Sequence, residues 1–199
     1  MEQNGLSARG SATYRRLLEV AARELAENGD VEVATIARRA GVSVGLPYRY
    51  FGTKSGMLRA VVTDFHDRLD EAVIAREFVG DTWAERERAR VVAWVDHLYG
   101  DPLAPVLLGR LGDADSDGVA TQRLHAAIRC GARNVARGQR DGDLHAGRDP
   151  ELLVAAVLGG VHTAVTVALS RIPRPAPADV AAQLWAFVAG AAGVAERTS

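Results

Sequence analysis

Cysteine occurs once in 199 residues, lysine occurs once, and aromatic side chains make up only 6%. A single cysteine, Cys130, excludes an internal disulfide. Its neighbours Ala127, Ile128 and Ala132 point to a buried thiol in a reducing compartment. The five histidines (His66, His97, His125, His145, His162) lack metal-ligand spacing such as H-E-x-x-H, so neither a metal site nor a cofactor is expected. Period-2 alternation of apolar and polar residues is nearly absent, which argues against a sheet. The first sixteen residues are polar and basic with no apolar run, so no signal peptide is expected.

What the chain does have is apolar residues, 48%, recurring at helical spacing. Net charge is −1, but it is unevenly spread. Residues 1–60 carry nine basic and six acidic side chains, a surplus of three, which leaves the remainder net acidic. A basic module on an acidic body suits an anionic partner at the N-terminal end. The pattern predicts helices over 11–28, 33–40, 44–51, 54–78, 83–99, 102–111, 119–140, 151–170 and 179–196. Asn28-Gly29-Asp30 and the Pro173-Arg174-Pro175-Ala176-Pro177 run supply clear breaks. The fold class is therefore all-α. Residues 1–55 form a three-helix N-terminal domain, and a long helix joins it to a helical bundle in 56–199.

The segment Ile36-Ala37-Arg38-Arg39-Ala40-Gly41-Val42-Ser43-Val44-Gly45 has the logic of a helix-turn-helix. Ala37 and Ala40 are small where two helices cross, Gly41 permits a sharp turn, and Val42 fills the space beneath it. Ser43 is expected to cap the next helix so that its first residues face a DNA groove. Thr53 is expected to cap the fourth helix.

These residues, with Leu46-Pro47-Tyr48-Arg49-Tyr50-Phe51, Thr53-Lys54 and Met57-Leu58, resemble the TetR family of bacterial regulators over about residues 11–60. The resemblance implies a DNA-binding domain at 1–55 and a ligand-binding, dimerising domain at 56–199. It implies that Ser43 and the exposed face of the helix after it contact DNA. By position, Tyr48 and Lys54 would bind phosphates, while Val44, Gly45, Leu46, Arg49 and Tyr50 would lie nearest base edges. The helix start at Val33, Ala34 and Thr35 would face the backbone or groove. Val33 and Ala34 cannot hydrogen-bond through their side chains, Glu32 is a poor cap, and Pro47 stands where an aliphatic residue is commoner. Base reading then falls on Arg49 and Tyr50, with Arg38 a further candidate. Arg49 fits either a bidentate guanine contact or a phosphate contact.

The resemblance also implies a small-molecule pocket in the second domain. Its candidate lining is Phe65, Trp94, His97, Leu98, Leu107, Leu111, Leu124, His125, Ile128, Val161, His162 and Val165, nearly free of charge, which suits an apolar or aromatic effector. A single helix-turn-helix binds weakly. A homodimer, which places two reading helices about 34–36 Å apart on a near-palindromic operator, overcomes that. The last two helices are the expected interface, with Gly190, Ala191 and Gly193 allowing close approach and Trp185 and Phe187 supplying area. The expected protein is a cytoplasmic repressor released by its ligand, and not an enzyme.

Three other stretches carry competing signals. Gly41-Val42-Ser43-Val44-Gly45 matches G-x-S-x-G, the alternative being a small serine hydrolase using Ser43, but that motif needs a strand before the serine. A helical interaction protein that no longer binds DNA is the other alternative. Asp113-Ala114-Asp115-Ser116-Asp117-Gly118 starts like a calcium loop, yet Leu124 stands where the bidentate Glu belongs. Leu152–Ser170 carries no charge and is long enough to span a membrane. Its glycines, His162 and hydroxyls suit a helix buried on all sides instead, so no membrane partner is expected.

Overall fold

Leu17, Leu18, Ala21 and Leu25 are almost completely buried, because residues three and four apart share one helix face. The computed structural model describes residues 8–109 and 119–194. They form nine α-helices: α1 Ala8–Asn28, α2 Val33–Ala40, α3 Gly45–Phe51, α4 Lys54–Leu69, α5 Trp83–Gly100, α6 Ala104–Gly109, α7 Val119–Arg140, α8 Pro150–Ser170 and α9 Pro177–Ala192. Among the described residues there is no strand.

The chain divides into two compact units. The first runs to Arg68 and takes in Pro102–Leu107; the second comprises Leu69–Asp101 and the chain from Leu108 on. By packing, therefore, α4 goes with the N-terminal helices, whereas the sequence suggests a joint at 55/56.

α4 ends earlier than expected. It passes into a π-helical turn, Asp70–Ile74, and helical structure stops there rather than at residue 78. Arg90 Nη1 donates to the carbonyls of Val73 (3.1 Å) and Arg76 (3.5 Å), acceptors that a continuing helix would need. Phe78 packs against the guanidinium groups of both Arg76 and Arg90, 4.8 and 4.7 Å from its ring centre.

Local chemistry fixes the other ends. Thr82 and Glu85 form a reciprocal capping box at the start of α5. Asp149 accepts from Glu151 N and Leu152 N, both at 2.9 Å, with Pro150 in the first turn of α8. Gly193 ends α9, short of residue 196, so it is a terminator and not a helix-contact residue. In the second unit α7 packs on α8, and α9 packs on both α5 and α8. A Cβ on Gly160 would lie 2.8 Å from Phe187, so Gly160 is what lets α8 and α9 approach. Nothing lies near Gly190. Trp185 packs against Trp83 within the chain, ring centres 6.5 Å apart. Cys130 is half-buried, its thiol 3.8 Å from the Ile74 carbonyl.

α8 is long and apolar enough to cross a membrane, with mean hydropathy 2.1, but only 28% of that window is buried. It is not covered on every side, as the sequence suggests. Leu152, Ala155, Ala156, Gly159, Thr163, Ala164 and Val167 are exposed along one face.

Candidate nucleic-acid interface

The turn between α2 and α3 is built by a left-handed glycine. Gly41 has φ 65° and ψ 38°. Its N–H donates to Arg38 O at 3.1 Å, and Val42 N–H donates to Ala37 O at 3.0 Å. This double closure satisfies the last carbonyls of α2 and turns the chain sharply. Ser43 does not cap α3 with its side chain. The helix starts at Gly45 with no side-chain cap, and the Ser43 carbonyl receives Leu46 N–H at 3.0 Å. The Leu46 N–H, a donor such a cap would take, is thus used by the Ser43 carbonyl and not by its hydroxyl. Thr53 does cap α4, its hydroxyl accepting from Gly56 N at 2.9 Å.

The helix faces sort the candidate residues. Ser43, Val44, Gly45, Tyr48, Arg49 and Lys54 are exposed. Val44 and Tyr48 are among the largest exposed apolar side chains of the chain. Leu46 is half-buried. Tyr50 is turned inward, contrary to a base-reading role. Its hydroxyl donates to Gly10 O at 3.2 Å, and its ring packs edge-on to Tyr14 and beside Phe51. Burial raises the Tyr14 hydroxyl above the usual tyrosine pKa, with a smaller push from Asp64. Val33 also faces inward, contrary to a DNA-facing role: it is 7% exposed and belongs to the core with Ile36, Ala37 and Ala40. Its spacing to them, three, four and seven residues, carries that signal in the sequence. Ala34 and Arg38 are exposed on α2 instead. Thr35 is half-buried and donates to Glu32 Oε2 at 2.7 Å, and Glu32 gives α2 no side-chain cap.

Two further cations are held within this unit. Arg39 Nη1 sits 3.1 Å from Glu24 and 2.8 Å from Glu27. The Glu27 hydrogen bond, then the charges of Glu24 and Glu27, raise the Arg39 pKa. Glu24 is buried, so this pair fastens α2 to α1. Lys54 Nζ lies 2.6 Å from Asp30 Oδ2.

The hydrolase reading fails on geometry, since Ser43 follows a helix and no strand-turn-helix elbow exists here. No cluster of His, Cys, Asp and Glu among the described residues could hold a metal. The acidic loop 113–118 and Leu111 lie outside the described residues.

The expected pocket residues are scattered. Phe65 is fully buried and, with half-buried Leu107, belongs to the first unit. In the second unit Leu98, Val161 and Val165 are buried, while Trp94, Ile128 and His162 are half-buried. Leu124 and His125 are exposed, contrary to a pocket-lining role. Among the described residues of this unit, an open groove of ≈ 700 Å³ runs along α5. Ala72, Ala89, Val92, Ala93 and Phe78 form its apolar surface, with Arg76, Glu85, Arg88, Asp96 and His97 around them. Of the expected residues it includes only His97.

Comparison with known proteins follows the same division. Residues 17–61 match the family model "Bacterial regulatory proteins, tetR family". The chain is 41% identical over 68 residues to the HTH-type transcriptional regulator BetI of Escherichia coli O139:H28 (strain E24377A / ETEC), a stretch covering 33% of this chain and 35% of that protein. It thus spans about a third of the length of the curated relatives it matches. Among solved structures it is similar to a transcriptional regulator FadR from Bacillus subtilis in complex with stearoyl-CoA. There the TM-score is 0.72 and the identity 21%, over 88% of this chain and 97% of that one. The fatty acid degradation regulator FadR from Bacillus halodurans is similar too, with TM-score 0.74 and 17% identity over 89% and 95%. At such identities the likeness shows the fold.

Proposed function

We propose that the chain is a regulator of the TetR family, whose model its residues 17–61 match, and that it binds double-stranded operator DNA as a homodimer. One observation supports it: after the Gly41 turn Ser43, Val44, Gly45, Tyr48 and Arg49 are all exposed, and so is Lys54 at the start of α4. Tyr48 and Lys54 take phosphates, Arg49 reaches for base edges, and Ala34 and Arg38 border the surface. A regulator of this kind is not an enzyme, and its place is the cytoplasm, with the DNA.

The homodimer forms through the open faces of α8 and α9, so the apolar surface of α8 serves a second copy and not a membrane. The second unit takes a small effector that is mostly apolar or aromatic. The apolar groove along α5 and the buried Leu98, Val161 and Val165 support this. The effector acts as an inducer by favouring a dimer whose two reading helices no longer match the groove spacing. The FadR of Bacillus subtilis was solved with stearoyl-CoA, which makes acyl thioesters a sensible first class to screen.

The test is equilibrium binding to the DNA upstream of its own gene and to a random duplex, across a range of salt. Specific binding that weakens as salt rises supports the reading. No specific complex at any salt with neighbouring promoters overturns it.

A further inference from the structure

The only lysine of the chain is already occupied by a carboxylate. Lys54 Nζ lies 2.6 Å from Asp30 Oδ2, and the two side chains are 51% and 67% exposed. Asp30 stands in the turn between α1 and α2, and Lys54 opens α4. We propose that Asp30 is an internal competitor for the DNA phosphate at Lys54, a counter-charge that lowers the sequence-independent part of DNA affinity. This rests on the reading of Lys54 as a phosphate contact.

The argument is electrostatic. An ammonium has three donors, so a phosphate oxygen can approach Lys54 while Asp30 remains. Two anions then share one cation well inside the Debye length of about 8–10 Å. Alternatively the ammonium lets go of Asp30, which costs little because exposed ion pairs are weak. By either route part of the Lys54 charge is spent on Asp30, so the phosphate gains less from it. The Arg39 cluster differs. Its partner Glu24 is buried, so that pair is part of the packing and does not exchange. In a module whose surplus is only three positive charges, one exchangeable carboxylate is a large share of the field. Base contacts such as those of Arg49 are untouched by it, so the device acts on affinity for any duplex.

The experiment measures binding by fluorescence anisotropy, over several salt concentrations, to the duplex upstream of its own gene and to a random duplex of equal length. The full chain is compared with D30N, D30S, D30E, K54A and D30N/K54A. Circular dichroism at the assay temperature shows which variants are folded, and D30S removes the charge with a different side chain. D30N and D30S should bind both duplexes more tightly, by up to about fivefold per protomer, with a steeper salt dependence. D30E should match the unaltered chain, and in the K54A background the gain should vanish. Unchanged affinity in D30N and D30S, or an equal gain without Lys54, overturns the role of Asp30 alone. An unaltered chain that binds neither duplex at any salt overturns the DNA-binding reading, and this proposal with it.

Discussion

Arg49 and Tyr50 are neighbours with opposite duties. Arg49 is exposed and has no hydrogen-bond partner among the described residues, whereas the Tyr50 hydroxyl is spent on the Gly10 carbonyl. Arg49→Ala should therefore cost about 1–3 kcal/mol of discrimination at one base pair, measured with operator duplexes altered one position at a time. If the loss is equal across all duplexes, Arg49 is a phosphate contact. Tyr50→Phe should leave base preference unchanged and lower stability by about 0.5–1.5 kcal/mol in denaturant unfolding. The inward turn of Tyr50 was legible: Pro47, Tyr50 and Phe51 are spaced three and four apart, as are the buried residues of α2 beginning with Val33. Weighing each residue by its hydrogen-bonding tip hides that periodicity. The Ser43 cap was harder to reject. A serine before a helix is an ordinary cap signal, and nothing in the local sequence shows that the Leu46 N–H bonds the Ser43 carbonyl in place of its hydroxyl.

At the scale of elements, turns decide more than helices. Gly41 adopts φ 65°, yet a Cβ built there would meet its nearest neighbour, Arg16 Nη2, at 3.5 Å, an ordinary contact. The cost of Gly41→Ala is thus conformational and not steric, roughly 1–2 kcal/mol for a left-handed non-glycine residue. Thermal unfolding should show it, together with weaker DNA binding; an unchanged midpoint would mean the turn can rearrange. The bounds of α2 and α7 follow directly from the sequence, since Gly41 ends the one and Gly118 and Asp141-Gly142 flank the other. The π-helical turn after α4 does not. It depends on Arg90, sixteen residues beyond Ile74, reaching back for the Val73 carbonyl, and local periodicity carries no record of such a partner. α8 carries a titration as well. Burial pushes the His162 pKa below 6.5, so the folded chain keeps this imidazole neutral where the unfolded chain takes up a proton. Its contribution is intact above about pH 6.5 and is lost as pH falls towards the folded value. Denaturant midpoints at pH 7.5 and 5.5 should show a smaller drop for His162→Asn than for the unaltered chain.

Across the whole molecule, composition foretells an all-helical chain but not what each surface meets. α8 is so uniformly apolar that hydropathy cannot tell an inward from an outward side chain, and its exposed face appears only when α7 and α9 are in place. On that face lie Ala155, Ala156, Gly159, Ala164 and Val167, and on α9 lie Ala182, Ala186 and Phe187, the last 46% exposed. Small side chains along both helices let a second pair of helices come close, while Phe187 and Leu152 supply larger apolar area. Introducing one charge at the centre of this face, Ala164→Arg, would bury an unpaired cation in the proposed dimer and nothing in the monomer. Sedimentation should then report a monomer with unchanged helix content. Loss of the second half-site should lower operator affinity by about 10²–10⁴-fold, while the weak affinity for random duplex, which needs only one module, falls far less. A variant that stays dimeric would move the interface away from α8. A monomer that keeps full operator affinity would show that one helix-turn-helix suffices, even though its positive surplus is only three charges.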